Sequence, residues 1–131
     1  MTFDPTQPVI TAVGLLPLKT FMHERGLDWR QSLEEVGIDP DMPIDANAMV
    51  PLSAAFRLLE NAARQSDDDS FGLQLGETFT VNMTGAIAYI TLNAPDLRTY
   101  CRDTVRFLGL VSYGYTARFE ESDVLGSITA K

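Results

Sequence analysis

Arg98, Arg102 and Arg106 recur at four-residue steps in TLNAPDLRTYCRDTVRFL, residues 91–108, a stretch that also holds Asp96, Tyr100, Cys101 and Asp103. On a helix that spacing makes one basic ridge, and guanidinium groups so placed can grip an anionic ligand in a bidentate manner. Arg98 and Arg102 also flank the chain's single cysteine. A positive neighbour is one of two conditions for a redox-sensing thiol, the other being exposure. Each feature has a plainer reading. Exposed ridges commonly pair with acidic loops, and such pairs contribute little. Leu97, Cys101, Val105 and Leu108 recur at helical steps, which makes a core stripe and turns Cys101 into a small apolar core residue.

Tyrosines offer a second kind of binding chemistry. Tyr89, Tyr100, Phe107, Tyr113 and Tyr115 gather around the junction between the last helices and a terminal hairpin. Aromatics dominate buried area in any small domain, yet hydroxyls at such a junction can also face a ligand's polar groups. The candidate ligand contacts are therefore Tyr89, Tyr113, Arg102 and Arg106.

Catalytic and metal chemistry find little support. His23 is the only histidine and Cys101 the only cysteine, so no zinc set of nitrogen and sulfur ligands can be assembled, and an exposed helical histidine is the expectation. No Gly-x-Ser-x-Gly elbow, phosphate-binding loop or Gly-x-Gly-x-x-Gly occurs. Asp67, Asp68 and Asp69 lack the alternating pattern of a calcium loop and read as a solvated cap for the helix that follows. The expectation is no enzyme, no metal and no cofactor.

The elements that must carry these residues follow from periodicity and punctuation. Residues 1–8, with Pro5 and Pro8, read as a flexible arm. From Val9, helical spacing through Ile10, Val13, Leu18, Phe21 and Met22 predicts a helix ending at Gly26, kinked or restarted at Pro17. Asp28, with Gln31 in capping-box position, starts a second helix over residues 29–36, and Gly37 ends it. Residues 38–50 read as a loop. Leu52, Ala55, Phe56, Leu59, Ala62 and Ala63 form the apolar stripe of a third helix opened by Pro51. SFGLQLGE, residues 70–77, predicts a short helix where Gly72 and Gly76 allow another backbone to approach. GAIAYITL, residues 85–92, fits a buried strand or a buried helix. In the helix of residues 91–108, Pro95 marks the first turn and Asn93 or Ala94 the cap. Tyr113, Tyr115, Ala117 and Phe119 then alternate with polar residues, a strand that a turn near residues 121–123 folds into a hairpin reaching Lys131.

Composition bounds the whole. The 131 residues, 45% hydrophobic and 21% charged, suit one globular domain. A net charge of −8 repels a phosphate backbone. The absence of a signal-peptide pattern or long apolar run, with one cysteine, predicts a cytoplasmic protein with no membrane partner. The expected fold is α+β, mainly α: five or six helices followed by an antiparallel β-hairpin that belongs to a truncated sheet.

FGLQLGE at residues 71–77, GAIAYITLNAPDLR at 85–98 and RFLGLVSYG at 106–114 resemble the N-terminal arabinose-binding-like domain of AraC-type transcription regulators. Arg25-Gly26, Gly37-Ile38 and Val50-Pro51-Leu52 keep the order found in that group. The resemblance covers residues 9–131 and implies helix over residues 85–92, an N-terminal regulatory domain, a small-molecule effector and a homodimer. It further implies DNA binding only through a C-terminal helix-turn-helix domain, which is absent from this chain. Pro17 departs from the pattern, lying within a helix that usually runs on.

Overall fold

A computed structural model describes residues 6–80, 86–110, 112–114, 116–122 and 125–130. Of the expectations above, those on Gly85, Tyr115, Asp123, Lys131 and the first five residues of the arm lie outside the described residues.

The chain opens with strand β1 (Val9–Thr11), not a helix. Three consecutive β-branched residues favour extended backbone, and that preference outweighs a helical spacing read from Ile10 and Val13. A short 3-10 turn, Ala12–Leu15, leads into α1 (Leu16–Glu24), where Pro17 occupies the first turn and leaves no backbone donor unsatisfied. The helix restarts there, one of the two outcomes foreseen for Pro17. Helix α2 (Trp29–Glu35) follows, with the Asp28 carboxylate accepting from the Gln31 N–H at 2.9 Å. Its capping box is incomplete, because the Gln31 side-chain amide donates forward to Glu35. Gly26 and Gly37, both at positive φ, close α1 and α2.

The loop after α2 ends in β2 (Met49–Pro51), which pairs antiparallel with β1 and hands the chain to α3 (Leu52–Ser66). The inward row of α3 is Ala54, Leu58 and Ala62, with Ala55, Leu59 and Ala63 flanking it. Phe56, expected in the stripe, is 58% exposed. Two positions beyond Ala54 it stands about 200° around the helix, so the two cannot share a buried face. Asp67 ends α3 at φ 50°, and the Asp68 carboxylate accepts from the Ser70 N–H and hydroxyl at 2.8 and 2.6 Å in the turn before α4 (Phe71–Glu77); the N-cap is Ser70, without a side-chain cap bond, rather than Asp68 or Asp69. Among the described residues, apart from the helix's own backbone and chain neighbours, nothing lies within 4 Å of a Cβ built at Gly72 or Gly76, so none of them makes the close backbone approach expected there.

These elements enclose one core, from Ala12 to Leu75, centred on Met22, Leu58 and Phe71. The remainder forms a second layer. Helix α5 (Ala86–Leu92) stops and α6 (Leu97–Phe107) starts afresh, so residues 91–108 are not one helix. The Asn93 amide donates back to the Tyr89 carbonyl at the end of α5, and Pro95 disfavours helical backbone in the residue before it. Asp96, rather than Asn93 or Ala94, is the N-cap of α6, accepting from the Thr99 N–H at 2.7 Å.

The expected strand through Tyr113 and Phe119 is two strands in two sheets. Strand β3 (Ser112–Tyr113) joins β1 to complete the order β2-β1-β3, and β4 (Ala117–Glu121) pairs with β5 (Gly126–Ala130) in a hairpin. The switch falls beside Gly114, at φ 89°. The fold is α+β and mainly α, with six α-helices among the described residues.

Candidate functional site

Helix α6 carries no buried residue, although its sequence is strongly amphipathic. Its apolar stripe faces the β4–β5 hairpin instead of a core. Leu97 remains 76% exposed, while Cys101, Val105 and Leu108 are half-buried. The expected core stripe is therefore one wall of a seam. Strand β4 supplies the other, since alternation places Ala117, Phe119 and Glu121 on one side and Arg118 and Glu120 on the other. Phe119 pairs with Ile128, and its ring lies 3.2 Å from where Gly126 would carry a Cβ.

Two hollows lie along the seam and share Phe119. The larger, an open cleft of about 790 Å³, has Leu97, Cys101, Phe119 and Ile128 as its floor and Asp96, Arg98 and Glu121 as its polar edge. The smaller, about 410 Å³, is lined by Arg102, Val105, Arg106, Arg118, Phe119 and Glu120.

Their electrostatics differ. At the larger hollow the Arg98 Nε donates to Glu121 at 2.8 Å, a hydrogen bond that holds the guanidinium more firmly protonated. The Thr99 N–H, its hydroxyl and the nearby Arg98 and Arg102 charges pull the Asp96 carboxyl below its ordinary value. Both carboxylates are thus engaged. At the smaller hollow, Arg102, Arg106 and Arg118 make no ion pair among the described residues, although the Arg106 guanidinium lies 5.2 Å from its neighbour Phe107's ring centroid.

The candidate residues are brought together only in part. Arg102 and Arg106 share the smaller hollow, as their spacing required. Tyr89 on α5 and Tyr113 on β3 are 63% and 50% exposed and lie outside both seam hollows. Tyr100 instead faces a third hollow between α5 and α6 with Phe79 and Thr104. Cys101 sits on the larger hollow's floor, and His23 is exposed in the last turn of α1. Arg118 was missed by sequence reasoning. Strand alternation put it on the polar face, but nothing in the sequence shows which edge of the hairpin meets the arginine ridge.

Residues 26–129 match one protein family, the arabinose-binding domain of AraC transcription regulators, N-terminal. That span is most of the chain and contains the whole seam. The chain belongs to this family. No individual curated protein matches it. The family is one of transcription-regulator domains, and no helix among the described residues is long and apolar enough to cross a membrane.

The AraC-type domain should respond to acid through the Asp96 cap of α6 and the Asp68 turn before α4. Folded-state values of Asp96 and Asp68 lie below the ordinary carboxylate value, Asp68 chiefly through the Ser70 hydroxyl and N–H. A carboxyl depressed on folding stabilises the folded state above its unfolded pKa of about 3.9 and loses that effect as pH falls through the folded value. The thermal midpoint should therefore be flat between about pH 7 and 5 and fall below about 4. In Asp96→Asn the fall should be smaller; an identical acid limb in the variant would contradict the capping role.

Proposed function

We propose that this domain senses a small-molecule effector for a bacterial, cytoplasmic AraC-type regulator. Effector binding shifts the population between two arrangements of a homodimer and so sets how a C-terminal helix-turn-helix domain meets its promoter. The observation that carries this reading is the family match over residues 26–129. The net charge of −8 supports it, because DNA contact then falls to another part of the regulator. In this reading Arg102 and Arg106 hold the effector's anionic group. Tyr89 and Tyr113, exposed and outside the two seam hollows, are the aromatic contacts to test in addition.

One observation favours a second reading. Leu97 and Leu125 are exposed apolar side chains on the hairpin layer, which would suit a module that works by protein contact alone. Such a module would show no ligand-dependent rise in thermal midpoint.

Deleting residues 1–131 from the full regulator separates the cases. Promoter output in a reporter strain should lose its inducible part while the protein still protects its DNA site. Unchanged induction by the shortened protein would contradict the sensing role.

A further inference from the structure

We infer that the effector is an organic monocarboxylate with an apolar body, its body along the larger seam hollow and its carboxylate among Arg102, Arg106 and Arg118. This rests on the sensing role proposed above and names the ligand class for that role. The floor argues for the body. Leu97, Cys101, Phe119 and Ile128 form an apolar surface that α6 and the hairpin leave open, and a cleft of this size is within the range that encloses small ligands.

Charge sets the direction in which the ligand lies. At the larger hollow Glu121 is held by Arg98, and Asp96 by the Thr99 N–H, so that end presents no free carboxylate to attract a cation. Three arginines and one glutamate, Glu120, line the smaller hollow, an excess of two positive charges, and none of the three arginines has an ion partner among the described residues. A local positive excess in a chain of net −8 favours a monoanion over phosphate, because the chain's field repels the second charge. Arginine forks suit the planar carboxylate.

The distances agree with this. Val105 stands one helical turn, about 6 Å, beyond Cys101, and Phe119 borders both hollows. A ligand lying over Cys101 therefore reaches the arginines with a carboxylate a few bonds along. Arg118, at the edge of the hairpin, borders the same smaller hollow as the two ridge arginines, although its strand position also places it beside Glu120 and Thr129 on the hairpin's other face. It makes the site depend on how α6 and the hairpin are held together, the kind of element an effector can bias.

Calorimetric titration of the chain with decanoate, phenylbutyrate, decanol and acetate tests the inference. At least one of the two acids should bind about tenfold or more tightly than decanol, which lacks the charge, and than acetate, which lacks the body. Arg102→Gln and Arg118→Gln should each weaken that acid about tenfold, and Phe119→Ala should weaken it as well. Arg64→Gln, on α3 and away from the seam, should bind like the parent. Arg118→Lys, which keeps the charge and loses the fork, should fall between parent and Gln variant. Circular dichroism should show each variant folded. No binding of either acid, decanol binding as tightly as the acids, or arginine variants with parental affinity would overturn the inference. The sensing role would survive such a failure if deletion of residues 1–131 still removed induction. It would fall only if that deletion changed nothing.

Discussion

Replacing Phe71 with alanine is expected to cost about 3–5 kcal/mol of folding stability, the range for truncating a large aromatic in a core. Phe71 begins α4, is fully buried and meets the Phe21 ring edge-on, with centroids 5.1 Å apart and planes at 73°. The Arg25 guanidinium lies 3.5 Å over Phe21 and hydrogen-bonds the Gln74 side chain of α4. Removing the Phe71 ring therefore opens a cavity and loosens the join between α1 and α4. A domain of this size has about 5–15 kcal/mol in all, so urea unfolding should show a midpoint lowered by a large fraction. Phe56→Ala on the solvent side of α3 provides the contrast, with an expected change within about 0.5 kcal/mol. Equal losses for the two variants would contradict the placement of the core.

Gly114→Val is expected to be nearly as damaging for a different reason. At φ 89° a side-chain residue is strained by about 1–2 kcal/mol, and a Cβ there would stand 2.8 Å from the Pro8 Cα and 3.2 Å from the Gln7 carbonyl oxygen. Those contacts are backbone, which cannot rotate away, and overpacking of this kind adds about 1–3 kcal/mol. The expected loss is about 2–5 kcal/mol by thermal or urea unfolding. The position also matters for coupling. Gly114 follows β3, the strand that ties the end of the α6 segment into the β2-β1-β3 sheet of the helical core. Loosening it should release the seam from the core, and amide exchange should rise first in β3 and β1. A variant with parental stability and exchange would show that this tie carries nothing.

How much of this was legible in sequence depends on the range of the interaction that decides each feature. The Asp28 cap of α2 and the Asp68 turn that leads into α4 are local, and both are legible because a short polar side chain acts on donors two or three residues away. The helix over residues 52–66 is legible for a related reason, since its apolar positions repeat over four turns. Val9–Thr11 was not. Three residues cannot establish a period, and their strand exists because Met49–Pro51 and Ser112–Tyr113 arrive from far along the chain.

The same distinction runs through the site. That Arg98, Arg102 and Arg106 share a face follows from helical geometry alone, but only the fold shows that Arg98 is engaged by Glu121 while the other two make no ion pair among the described residues. The spacing of Leu97 and Cys101 shows an apolar stripe, but that stripe is a seam wall and not core. Periodicity reports which side of a helix is apolar; what covers that side is a tertiary matter. Arg118 became visible as a third arginine only once β4 was set against α6.

The central claim is that this domain is the regulatory part of a DNA-binding AraC-type protein. It is tested most directly by reading the coding sequence past the codon for Lys131. The frame is expected to continue into a basic segment with two helix-turn-helix patterns. A stop codon directly after Lys131 would contradict it.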